Sequence, residues 1–244
     1  MTEEHVEHFI DQRRKEDAIA PFINPFGLFG FVFRKEFTAK DGTTVIFREP
    51  TIADAEALMR FINSVIREDR SGIVMDRPVT LKEESEWLKA RLGEIRRRTT
   101  VLLVAEVDGK IVGNCDISRR MWKESHRAVI GVVLAKAVRM IGIGKAIMTA
   151  CIELAKERIS GLETIELSVL DYNKSARTLY EQLGFAEICR VPNAMKEGSE
   201  YIDESIMALN VKGKGRGKCK QQSQPIAILT VEAGTACEKV ISRT

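Results

Sequence analysis

Residues 126–160 read HRAVIGVVLAKAVRMIGIGKAIMTACIELAKERIS, an almost wholly apolar run, then two glycines, then a long amphipathic stretch. A strand apolar on both faces belongs in the middle of a sheet, covered on both sides. From Gly142 onward, Ile143, Ile147, Ala150, Cys151 and Leu154 recur at helical spacing, and Gly161 ends the helix. The unit is therefore strand, glycine turn, helix. A helix start leaves four backbone N–H groups unpaired and carries about half a positive charge. The missing side chains at Gly142 and Gly144 let an anion approach those amides, with Arg139 and Lys145 as counter-charges. The turn alone also suits a close-packed corner with no ligand. Ile147 stands where a GxGxxG motif needs its third glycine, and no GxxxxGK[ST] loop is present.

The flanking segments extend the pattern. FRKEFTAKDGTTVIFREP reads as a hairpin turning at Asp41-Gly42. Thr51 with Asp54, and Thr80 with Glu83, have capping-box spacing and open two helices. The first has apolar positions Ala55, Leu58, Met59, Ile62 and Ile66, and the second Leu81, Leu88, Leu92 and Ile95. TTVLLVAEVDGKIVGNCDISRR forms two strands around Asp108-Gly109. TIELSVL is a strand, Lys174 to Leu183 a helix closed by Gly184, and FAEICRV and EYIDESIMAL the last strands. The order β-α-α-β-β-β-α-β-α-β-β predicts an α/β fold near residues 43–210. It is one mixed, mostly antiparallel sheet with helices on both faces.

Domain boundaries follow from composition. Residues 1–40 form an N-terminal extension with a short helix, a phenylalanine-rich segment and the first hairpin strand. Six of the ten phenylalanines fall between Phe22 and Phe37. They form an added strand or lid on the core, a homodimer contact, or a wall of an acceptor site. Residues 41–210 form the domain, and 211–244 a basic Gly/Lys linker and tail. KGKGRGKCK (212–220) holds five basic residues, so the net charge of +3 becomes 3 − 5 = −2 elsewhere. Any attraction for nucleic acid lives in that tail.

Five scattered cysteines without a CxxC pair suit a reducing cytoplasm, and His5, His8 and His126 complete no metal-ligand spacing. No metal is expected. The start of the chain lacks the apolar core of a leader. PFINPFGLFGFVF is too short and too interrupted to span a bilayer, so no membrane partner is expected.

A second stretch, LSVLDYNKSARTLYEQLGF (167–185), decides between the two readings of the turn. Arg139, Gly142 and Gly144 match R/Q-x-x-G-x-G/A. Asn173, Ala176, Leu179, Tyr180, Gly184 and Phe185 match N-x-x-A-x-x-L-Y-x-x-x-G-F. Together the blocks resemble the GNAT acetyltransferase superfamily over residues 43–210. The resemblance implies that acetyl-CoA is the co-substrate. Its pyrophosphate would sit on Arg139, Met140, Ile141, Gly142, Ile143, Gly144 and Lys145. The strand ending at Leu134 would splay from IELSVL to admit the pantetheine arm, with the backbone at Val133 and Leu134 holding the thioester carbonyl. Tyr180 would protonate the departing thiolate, and Asn173 would bind the cofactor arm or fix its loop. By pattern alone Tyr180 is a core residue, and Asn173 a helix cap.

Direct transfer to an amine needs a base, and relatives often carry a carboxylate inside the strand before the turn. Ala128 and Val129 stand there instead. Glu124, His126, Asp116 and Glu166 are the alternatives. Deprotonating a lysine at pH 7 costs about 4.6 kcal/mol, against about 1 kcal/mol for an α-amine. A weak or water-relayed base therefore favours an α-amino acceptor, a protein N-terminus or an amino acid.

Overall fold

A computed structural model describes residues 19–23 and 29–212. The helix expected over 2–18 and the tail beyond 212 lie outside the described residues. The strands are β1 (Ile19–Ile23), β2 (Phe29–Thr38), β3 (Thr44–Arg48), β4 (Thr100–Val107), β5 (Lys110–Arg119), β6 (Arg127–Leu134), β7 (Thr164–Leu170), β8 (Ala186–Glu197) and β9 (Glu200–Asn210). The helices are α1 (Ala55–Ile66), α2 (Leu81–Arg96), α3 (Ile143–Arg158) and α4 (Lys174–Gln182). The sheet runs β1-β2-β3-β4-β5-β6-β7-β9-β8, antiparallel at each described junction except β6–β7. The expected element order from β3 to β9 is the observed one.

The central strand β4 explains why helices lie on both faces. Its side chains alternate across the sheet. Val101, Leu103 and Ala105 join the core under α3 and α4, whereas Leu102 and Val104 meet Ala55, Leu58 and Leu88 of α1 and α2. All five β4 residues are fully buried. Thr80 caps α2 as expected, its Oγ1 accepting from the Glu83 amide at 3.3 Å while Glu83 accepts from the Thr80 amide at 2.8 Å.

Two expectations shift. In α1 the buried stripe is Ala55, Leu58, Phe61 and Val65, so the helix is turned one position from the Ile62 and Ile66 face. In α2, Leu81 is exposed, and Leu88 anchors the contact with Leu92 and Ile95 packed beside it. The phenylalanine-rich segment contributes added strands: β1 pairs with β2, and the Phe37 ring stacks on Phe47 with centroids 5.8 Å apart. Among the described residues, no helix is long and apolar enough to cross a membrane.

Candidate active site

The site begins where the sheet opens. β6 and β7 run parallel but pair only over Arg127–Val129 against Thr164–Glu166. Beyond that rung β6 stays paired to β5 as far as Leu134, and β7 stays paired to β9 as far as Leu170. The expected splay is therefore present. Its polar lining follows from ladder geometry. The Ala135 amide donates to the Val112 carbonyl at 2.8 Å. Backbone groups along a strand point alternately to its two neighbours, so Val133 and Gly131 face β5 while Leu134 and Val132 face the gap. This corrects the expectation for Val133, whose amide is committed to β5 opposite Asn114. The open groups are the Val132 amide and carbonyl and the Leu134 amide. The Leu134 carbonyl accepts from Arg139 Nε at 2.9 Å and Nη2 at 2.7 Å.

That contact also relocates Arg139. Its guanidinium bonds Leu134 and Glu68 Oε2 (2.6 Å), tying the β6 exit to the end of α1. Its side chain holds the loop. The two glycines have different causes. Gly142 has φ +96°, a left-handed conformation that turns the chain into α3. Gly144 is small for packing: a Cβ there would stand 3.2 Å from Leu179 Cδ2 and 3.3 Å from Leu134 Cδ1. The first backbone bond of α3 runs from the Ala146 amide to the Gly142 carbonyl at 3.2 Å. The amides of Ile143, Gly144 and Lys145 thus have no helical acceptor behind them. Ile143 is fully buried and offers only its backbone, whereas Met140 is exposed and has φ +67°. The Ile141 carbonyl accepts from the Lys40 amide at 3.0 Å.

Helix α4 lays Tyr180 over this corner. The ring is buried, edge-on to Phe185 at 6.2 Å. Burial, and then the neighbouring Cys115, push its pKa up to about 12. Cys115, which shares a core cluster with Tyr180, lies opposite Val132 across the β5–β6 ladder. Among the described residues, no protein group hydrogen-bonds its hydroxyl. Asn173 is the cap of α4, its Oδ1 accepting from the Ala176 amide at 3.2 Å.

The carboxylates separate. Glu166 is buried and held by two guanidiniums, Arg120 at 3.1 Å and Arg127 on the other oxygen. Glu124 is 53% exposed and pairs with Arg127 at 2.7 Å and Arg120 at 3.9 Å. This network latches the start of β6 to β7 at the closed end of the splay. Both expected base candidates stand in ion pairs with Arg120 and Arg127. His126 lies on the surface there, its carbonyl accepting from the Glu163 and Thr164 amides. Asp116 differs: it lies on β5 opposite Gly131 of β6.

The acetyltransferase (GNAT) family model matches residues 62–185, just over half of the chain. The chain belongs to the GNAT acetyltransferase family. An N-alpha-acetyltransferase of Sulfurisphaera tokodaii is 30% identical over 106 residues, covering 38% of this chain and 61% of its own length. The chain thus spans about three fifths of that relative. YncA of Salmonella typhimurium, solved with acetyl-CoA, superposes with a TM-score of 0.62 at 19% identity, over 72% of this chain and 98% of that one. A ribosomal-protein-alanine N-acetyltransferase of Brucella melitensis gives 0.60 at 24% identity, over 68% and 99%. At these identities the structural likenesses speak to the fold alone.

This GNAT chain also brings to the glycine turn a residue that its motifs do not mark. Lys40, from the β2–β3 turn, lies with its Cγ and Cε 3.8 and 3.9 Å from where a Gly142 Cβ would be. Its aliphatic chain therefore lies against the glycine turn. About a hundred residues separate Lys40 from Gly142, and only the hairpin geometry brings them together.

Proposed function

We propose that this chain is an acetyl-CoA-dependent N-acetyltransferase acting by direct transfer on a primary amine. The acceptor is the α-amine of a protein N-terminus or of an amino acid. The observation that carries the reading is the row of gap-facing groups at Val132 and Leu134, with unpaired helix amides at one end and the Tyr180 phenol beside it.

Acetyl-CoA supplies an activated thioester, and the residues present suit it. The amides of Ile143, Gly144 and Lys145, with the ammoniums of Lys40 and Lys145, receive the diphosphate. The Val132 amide and carbonyl and the Leu134 amide pair with the amides of an extended arm, as a neighbouring strand would. A gap-facing N–H also polarises the thioester carbonyl. Tyr180 arrives protonated. A pKa near 12 makes full transfer to an ordinary thiolate (about 8.5) uphill by about 4.8 kcal/mol. Tyr180 therefore acts first as a hydrogen-bond donor that strengthens as charge grows on sulfur, while the same burial raises the thiol's own pKa.

The α-amine follows from the base. β6 carries no carboxylate of its own, so the proton leaves through a neighbouring strand or a water, which suits the amine that is cheaper to neutralise. The name of the Sulfurisphaera relative agrees with it. Free thiols at Cys115, Cys151 and Cys189 suit a cytoplasmic location. Acetylation of paired peptides tests the assignment, one blocked at its N-terminus and one lacking lysine. Transfer to the lysine-free peptide is expected. Preference for the blocked, lysine-bearing peptide overturns the α-amine, and acetyl-CoA binding without transfer to any amine overturns the enzyme.

A further inference from the structure

Asn114, Asp116 and Ser118 form a polar line on β5. They lie opposite Val104, Leu102 and Thr100 of β4, and opposite Val133, Gly131 and Val129 of β6. Leu102 and Val104 pack toward α1 and α2, so the polar line shares that face. There β6 is bare: Gly131 has no side chain and Val129 is 40% exposed. A Cβ at Gly131 would stand 3.1 Å from Asp116 Oδ1. The carboxylate therefore leans across the ladder into the place of the side chain that β6 lacks. It ends next to Val132, whose amide faces the gap.

The surroundings leave that carboxylate available. Oδ2 accepts from Ser118 Oγ at 3.2 Å, and Arg91 Nη2 is 4.0 Å away. Among the described residues, Oδ1 has no hydrogen-bond donor. The side chain is 23% exposed. Two positions along the strand, the buried Asn114 Oδ1 likewise has no partner among the described residues. Two adjacent acceptors without donors match an ammonium or a water in transit from one. The charged groups facing Asp116 are Arg91 and Glu94, both from α2. Glu94 is itself bonded by Thr100 and Arg91. β6 presents no charge at this level.

We propose that Asp116 is the general base that deprotonates the acceptor amine beside Gly131, with Asn114 Oδ1 orienting the amine or the water that relays its proton. The inference rests on the acetyltransferase reading. The ammonium gives one proton to Asp116, directly or through a water. The freed nitrogen lone pair forms the C–N bond to the acetyl carbon as the C–S electrons pass to sulfur. Sulfur takes the Tyr180 proton, the nitrogen's second proton restores the phenol, and Asp116 releases its proton to solvent.

Asp116→Asn keeps the shape and removes the base. At pH 7 the acceptor kcat/KM is expected to fall about 100-fold or more. The acetyl-CoA Kd is expected to stay within twofold. The deficit is expected to shrink at least tenfold between pH 7 and 9.5, where the α-amine is already neutral. Burial raises the Asp116 pKa, and Arg91 and Ser118 offset only part of that, so the ionised carboxylate is disfavoured in the fold. The variant is therefore expected to melt at or above the wild-type temperature. Asn114→Ala is expected to weaken acceptor binding to the CoA complex about tenfold.

A variant within threefold of wild type at pH 7 overturns the proposal. So does a pH-independent loss with a lowered Tm, the mark of a structural residue. Should Asp116→Asn fail to fold, Gly131→Ala displaces the carboxylate, and the same pH-dependent loss, or its absence, decides. Wild-type protein that neither binds acetyl-CoA nor acetylates any amine overturns the enzyme reading, and this inference with it.

Discussion

Replacing Gly142 with alanine separates the two reasons a glycine can stand at this turn. Gly142 has φ +96° and ψ −9°. The added methyl would meet only Phe37 Cζ and the Lys40 side chain at 3.8–3.9 Å, ordinary contact. The variant thus introduces backbone strain without a clash. Left-handed strain costs about 1–2 kcal/mol in an L-residue. At about 2–4 °C per kcal/mol for a domain of this size, Tm falls by about 2–8 °C. Relief of that strain swings the amides of Ile143, Gly144 and Lys145, so the acetyl-CoA Kd rises about tenfold, equivalent to about 1.4 kcal/mol. Gly144→Ala is the control. It gains about 1 kcal/mol of helix propensity, set against contacts of 3.2 and 3.3 Å with the mobile ends of Leu179 and Leu134. Its methyl points into packing and away from an anion, so Tm stays within a few degrees and Kd within threefold. Thermal melts and calorimetry on the two variants side by side make the check. Unchanged Tm and Kd in Gly142→Ala, or greater damage from Gly144→Ala, would show that the left-handed turn does not set the amides.

Three further outcomes are expected. Tyr180→Phe lowers kcat at least tenfold with the acetyl-CoA Kd within threefold, and unchanged turnover removes the phenol from the chemistry. Glu166→Gln strands two guanidiniums at the β6–β7 latch and costs about 3 kcal/mol, or about 6–12 °C in a thermal melt. A loss of turnover without a loss of Tm would restore Glu166 as a base. Glu83 has its pKa lowered to about 2, first by the Arg77 hydrogen bond and then by the Thr80 amide. A depressed carboxyl stabilises fully above its ordinary value near 4.5, and that stability fades as pH falls through about 2. The Tm difference between wild type and Glu83→Gln is thus constant above about pH 5 and narrows below it. A gap that holds steady down to pH 3 contradicts the cap.

What the sequence revealed was local or periodic. The Asp41-Gly42 turn, the Thr80–Glu83 cap, the buried face of α3 and the glycine turn each rest on residues within a few positions of one another. Helical α1 was legible, but its face was not. Apolar residues at 58, 59, 61, 62, 65 and 66 serve two adjacent stripes, and only packing in the folded domain selects Leu58, Phe61 and Val65 for burial. The site depended on distant pairs. Glu166 meets arginines 46 and 39 residues away, so a strand-end carboxylate resembled a base until its partners were placed. The absent β6 acid resembled a missing function, because nothing local to Gly131 announces that Asp116 leans into its place. Gly144 fitted the motif, yet its size is set by Leu134 and Leu179.

The most direct measurement is amide hydrogen exchange with and without CoA. Added protection is expected at Val132, Leu134 and Ile143–Lys145, with Val133, already paired to β5, unchanged. Protection confined to other segments, or none at saturating CoA, contradicts that expectation.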